Sequence, residues 1–96
     1  MRIVFHEKAE EELIEAARHY EESAAGLGHA FLDEIAKSIN EILSYPQSGV
    51  LLSDEIRGKL LRRFPYRLMY AVEQDGIVIL AIAHHKRRPG YWLPRR

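Results

Sequence analysis

The last thirteen residues, His84-His85-Lys86-Arg87-Arg88-Pro89-Gly90-Tyr91-Trp92-Leu93-Pro94-Arg95-Arg96, hold two histidines, five cationic side chains and two aromatic rings. Cations at this density neutralise phosphates, and a Tyr or Trp ring offers a nucleobase a face to stack on. A histidine near its ordinary pKa of about 6.5 could take a proton from a ribose 2′-hydroxyl or give one to a leaving 5′-oxygen. Upstream, Arg67 interrupts a well-patterned strand with a planar fork suited to phosphate oxygens. Arg62 and Arg63 precede it, and strand alternation predicts one of them on the same face as Arg67. The competing reading is structural: a solvated tail, Tyr91 and Trp92 closing a core, each histidine satisfied at a sheet edge, and Arg67 paired with Glu73 or Asp54.

Other chemistries have less to work with. The 96 residues contain no cysteine, which removes disulfides, thiolate catalysis and cysteine-ligated zinc. His6-Glu7-Lys8-Ala9-Glu10 lacks a second histidine four residues on, so no metal site is expected. Gly26-Leu27-Gly28 follows a helical pattern where a dinucleotide loop follows a strand, and no cofactor is expected. The net formal charge of zero hides a dipolar chain. Residues 1–50 carry ten acids and four bases, residues 51–96 ten bases and four acids, and a one-sided basic surface attracts nucleic acid or an acidic partner. With no apolar run long enough to span a bilayer and no signal-like start, the expected setting is the cytoplasm, away from membranes.

These residues need a scaffold, and a chain of this length builds one core, so residues 1–96 read as one domain. Ile3-Val4-Phe5 is a short β-prone run. Ala9, Leu13, Ala16, Ala17, Tyr20 and Ala24 recur at helical spacing among acids, and Phe31, Ile35, Ile39 and Ile42 mark a second helix that Pro46 stops. The glycines at 26 and 28 predict a reversal, hence an antiparallel helix hairpin. Val50-Leu51-Leu52 is a short extended piece between loops. Lys59 to Phe64 reads as a strand ended by Pro65. Tyr66 to Glu73 alternates, Asp75-Gly76 suggests a type I′ turn, and Ile77 to Ala83 is continuously apolar like a covered central strand. The layout is α+β: an N-terminal strand, a helix hairpin, then a three-stranded antiparallel meander, with the hairpin over one face. Pro89-Gly90 would turn Tyr91 and Trp92 back toward the sheet. His84 and His85 would fall on opposite faces of the last strand.

The run Phe64-Pro65-Tyr66-Arg67-Leu68-Met69-Tyr70, then Asp75-Gly76 with its apolar strand, then His84 to Trp92, resembles the C-terminal half of toxins of the RelE/ParE superfamily. The N-terminal strand and acidic hairpin resemble the rest of that fold. The resemblance implies the toxin half of a type II toxin-antitoxin pair, with an antitoxin whose flexible tail wraps it; an exposed sheet edge and the helix hairpin are the surfaces expected to receive it, by strand addition and helix-in-groove contact. Operator DNA would be met only through the antitoxin complex.

The superfamily implies two activities. Ribosome-dependent members cleave mRNA, and Arg67, Arg87 and Tyr91 match three of their working positions. This is the first reading: a metal-independent endonuclease on the ribosome, with His84 or His85 as acid or base, Arg67 and Arg87 on the phosphate, and Tyr91 or Trp92 stacking a base. Arg62, Arg63 and Arg88 would add substrate contacts. Leu60-Leu61-Arg62-Arg63 departs from the pattern, lacking the alternating lysines that serve proton transfer, and an arginine is a poor proton donor at neutral pH. The alternative is the ParE-type activity, non-catalytic inhibition of DNA gyrase, for which those lysines are not needed.

Overall fold

A computed structural model describes residues 2–95. The element order is β1 (Arg2–Phe5), α1 (Glu7–Ser23), α2 (Leu27–Ser44), β2 (Val50–Ser53), β3 (Ile56–Leu60), β4 (Tyr66–Glu73), β5 (Gly76–His84) and a closing 3-10 turn at Leu93–Arg95. The five strands form one sheet in the order β1-β5-β4-β3-β2, with β1 parallel to β5 and every other pair antiparallel. The expected α+β layout is present. The extended piece at Val50 pairs with β3 and lengthens the meander to four strands.

The helices form because their apolar stripes have the same sheet face to cover. Ala9 and Ala16 of α1 and Phe31, Ile35 and Ile42 of α2 meet Leu68, Tyr70, Ile77, Ile79 and Ile82 in one buried cluster. His6 caps α1, its Nδ1 accepting the Lys8 N–H at 3.0 Å. At the hairpin, the Glu21 carboxylate accepts the Gly26 and Gly28 N–H groups at 2.9 and 3.0 Å. Those bonds hold its carboxyl below the usual carboxylate range.

Three local expectations are corrected. The strand predicted at Lys59 to Phe64 lies at Ile56–Leu60, and the chain bends from Leu61 onward. The bend is stabilised by Glu34 of α2, whose carboxylate accepts the Arg62 and Arg63 N–H groups. This polar trap draws two cations away from the sheet, and alternation no longer governs them. The hairpin between β4 and β5 exists, but positive φ occurs only at Asp54, Gly26 and Gly90 among the described residues, so Asp75-Gly76 is not a type I′ turn. Gly76 serves β1 instead: a Cβ there would collide with the Arg2 backbone. Finally, β5 carries a bulge opposite Met69 and Tyr70, where Met69 pairs with Ala81 and Tyr70 with Ile79. Leu80 is left over.

Candidate functional site

That bulge decides which side chains reach the sheet's other face. Before it, Ile77 and Ile79 point to the helices; after it, Ile82 does, and Ala81 and Ala83 point away. Arg67, paired across the ladder with Ala83 and Leu60, therefore lies on the face opposite the helices, as alternation along β4 predicts. Its stem crosses Gly58, where an added Cβ would come within 2.7 Å of the Arg67 Cδ. Among the described residues no hydrogen bond or ion pair is formed by its guanidinium, and Glu73, opposite Gly76 at the far end of β4, is six residues away along the strand.

Gly90, at φ 78°, turns the chain after β5 back over this face. Trp92 packs with Met69, Ala81 and Ala83, and Tyr91 packs beside them. The result is an open cleft of about 200 Å³ lined by Arg67, Met69 and Ala83 on the floor and His85, Arg87, Arg88, Tyr91 and Trp92 along the wall. The Arg87 guanidinium lies 3.8 Å from the Tyr91 ring centroid, a cation–π contact that keeps both groups at the rim.

The two histidines are not on opposite faces of a strand. His84 ends β5 on the helix side, its ring edge-on to Tyr66 at 4.9 Å between centroids. Its Nδ1 accepts the Lys86 N–H at 3.0 Å. Burial pushes its pKa down, with further lowering from Lys86, His85 and His19. Both histidines line the cleft, His84 from the end of β5 and exposed His85 from the following turn. Arg62 and Arg63 are outside the cleft altogether. Arg62 stands 4.0 Å from Glu41 of α2, Arg63 lies over the Phe64 ring, and both line a separate groove against α2.

Sequence reasoning missed Glu12. It projects from α1 past the end of β1 and accepts four hydrogen bonds: Ile82 N–H at 3.0 Å, the Tyr91 hydroxyl at 2.9 Å, and two from Arg95 at 2.8 and 2.9 Å. Burial pushes its carboxyl up, but Arg95, the Ile82 N–H and the Tyr91 hydroxyl outweigh burial and hold it below the usual range. Burial and the bond to Glu12 push the Tyr91 phenol up to about 12. Nothing in an acid-rich helix marks one glutamate out; the only hint was that α1 outruns the strand before it.

The sequence profile of the ParE toxin family, ParE toxin of the parDE type II toxin-antitoxin system, matches residues 3–89. The chain belongs to the ParE toxin family. It is thus a ParE-type toxin of a type II toxin-antitoxin system, which implies a cognate antitoxin as partner. Among solved structures, the chromosomal ParDE toxin-antitoxin system from P. aeruginosa is similar in fold, with a TM-score of 0.72 at 20% identity. The match covers 88% of this chain and 95% of that one. No curated protein matches significantly. Among the described residues of this ParE-family toxin, no three His, Cys, Asp or Glu side chains converge as metal ligands, and no helix is long and apolar enough to cross a membrane.

Proposed function

We propose that this ParE-family toxin arrests growth in the cytoplasm by gripping a protein target, DNA gyrase, without cutting a nucleic acid, until its antitoxin removes it. The observation that carries this reading is the state of the proton carriers around the cleft. Cleavage by 2′-hydroxyl attack calls for a base and an acid, each within about 3 Å of the proton it moves. The Tyr91 hydroxyl is instead given to Glu12, and the His84 ring is turned to Tyr66 with Nδ1 already accepting a bond. Besides His84 and His85, what lines the cleft with polar or aromatic groups is Arg67, Arg87, Arg88, Tyr91 and Trp92. Such a surface suits static recognition of acidic groups. Membership of the ParE family favours the same reading.

The convergence of Arg67, Arg87 and Tyr91 on one cleft is the observation favouring the second reading, an mRNA endonuclease on the ribosome with His85 as its proton carrier. One paired experiment separates the two. Purified toxin is added to a gyrase supercoiling assay, and transcripts from cells induced without antitoxin are mapped by primer extension. The expected result is blocked supercoiling, stabilised cleavage complexes and intact mRNA. Full gyrase activity beside cut transcripts would reverse the assignment. Operator DNA is expected to bind only the toxin-antitoxin complex, which a mobility shift with toxin alone checks.

A further inference from the structure

Strand β5 is longer than its outer neighbour. β1 covers only Gly76–Ile79, after which the His6 N–H still reaches the Ile79 carbonyl at 2.9 Å. Beyond that point the Leu80 carbonyl and the Ile82 N–H face an edge that no strand occupies. Two side chains meet them. Arg95 Nη1 donates to Leu80 O at 3.0 Å, and Ile82 N–H donates to Glu12 Oε1 at 3.0 Å. The same two side chains are joined by a double hydrogen bond, Nη1 to Oε1 at 2.9 Å and Nη2 to Oε2 at 2.8 Å. Together they give this edge one donor and one acceptor, as a residue of an adjacent strand would. Both are largely buried, at 14% and 15% exposure.

Glu12 also reaches the cleft wall. Its Oε2 accepts the Tyr91 hydroxyl and stands 3.9 Å from Arg87, which lies over the Tyr91 ring. Tyr91, Arg87 and Arg95 thus share one carboxylate, and that carboxylate belongs to α1. The segment's own backbone bonds are local: Leu93 N–H to Gly90 O and Arg95 N–H to Trp92 O, both at 3.0 Å. Apart from the packing of Tyr91 and Trp92, the wall is tied to the body of the protein through Glu12 and the Leu80 carbonyl.

We propose that Glu12 is a positioning residue, a clasp from the helix hairpin that holds residues 91–95 against the open edge of β5 and so fixes Tyr91 and Arg87 as one wall of the cleft. The proposal rests on the cleft being the toxin's working surface. Glu12 does not line the cleft and acts through the groups it holds.

The test uses the full chain and three readouts: hydrogen exchange at the Ile82 amide, Trp92 fluorescence, and growth arrest on induction in a host without antitoxin. Glu12→Ala is expected to speed Ile82 exchange at least tenfold, shift Trp92 emission to the red and weaken arrest at least tenfold, while the Tyr70 amide keeps its protection. Arg95→Ala, outside the helices and the sheet, is expected to reproduce the Trp92 shift and the weakened arrest even if Glu12→Ala fails to fold. Glu12→Gln keeps an oxygen for the Ile82 N–H and gives up the charge; it restores Ile82 protection with only part of the arrest, a split that general destabilisation does not produce. Glu15→Gln, on the exposed side of α1, behaves as the parent. Unchanged Trp92 emission in both Glu12→Ala and Arg95→Ala overturns the clasp. A released Trp92 with undiminished arrest upholds the clasp and overturns the cleft as the working surface.

Discussion

The two faces of the sheet are built from different stock. The helix-covered face is filled by large side chains, with Phe31, Ile42, Leu68, Tyr70, Ile79 and Ile82 essentially inaccessible to water. Tyr20, Phe31, Phe64 and Tyr66 add edge-on and tilted ring contacts with centroids 4.9 to 6.2 Å apart. The other face is floored by Gly58, Ala71, Ala81 and Ala83 beside Ile56, Met69 and Leu80, and is covered by the short segment bearing Tyr91 and Trp92. Large residues close one face and make it the source of stability. Small ones leave space on the other, where the Trp92 ring packs down and the Glu12–Arg95 ion pair fastens the segment that carries it.

The contrast is most exposed to a core truncation. Phe31→Ala should cost about 3–5 kcal/mol, the range for a buried phenylalanine, which is a large share of a small domain's stability. Urea unfolding measures it, and a loss under about 1 kcal/mol would contradict the assignment of stability to this face. Tyr70→Phe comes next. The hydroxyl it removes donates to Pro46 O at 2.7 Å and accepts the buried Gly49 N–H at 2.9 Å, so two backbone groups lose their partner, at about 1–2 kcal/mol.

On the opposite face the leverage is electrostatic and depends on pH. The Glu12 carboxyl lies below its unfolded value of about 4.3. Its contribution is therefore complete above that value and is lost as pH falls through the lower folded pKa. Arg95 stays charged throughout, its pKa raised by the bond to Glu12, and the Tyr91 phenol stays protonated. Trp92 emission should hold from neutral down through the ordinary carboxylate range and move to the red only below that range, where the lowered Glu12 carboxyl takes up its proton. Glu12→Gln lacks this step, which separates it from the titration of Glu21 at the hairpin. The smallest effect on stability is expected at Arg67. Arg67→Ala should change unfolding by no more than about 0.5 kcal/mol, since the side chain lines the open cleft and its guanidinium forms no hydrogen bond or ion pair among the described residues, yet abolish growth arrest. Arg62→Ala should leave arrest intact, because that side chain stands at α2.

Periodicity exposed the elements whose burial repeats regularly. Leu68 and Tyr70 against Arg67 and Met69 on β4, or Phe31, Ile35 and Ile42 on α2, could each be placed from spacing alone, and so could the turn at Gly90. The elements that went astray were set by single long-range partners. Glu34 takes two backbone N–H groups from 28 and 29 residues downstream and turns a predicted strand into a bend, carrying Arg62 and Arg63 with it. Glu12 finds Tyr91 and Arg95 across 79 and 83 residues, and no local pattern separates it from Glu10, Glu11 or Glu15. The cleft was thus legible in the residues that face it and illegible in the one that anchors it.

The extra residue in β5 acts as a phase shift. Every side chain from Ala81 to His84 is presented half a period out of step with Ile77 and Ile79. A homologous chain with the same terminal motif but an unbroken ladder would turn a histidine to the cleft floor and an alanine to the helices. Two toxins could then align without a gap at His84 and still differ in which chemistry faces the target. Deleting Leu80 from this protein would remove the bulge and leave Ala81 to His84 facing as they do now, because Leu80 and Ala81 share the cleft side and the strand on either side of them already alternates in that phase.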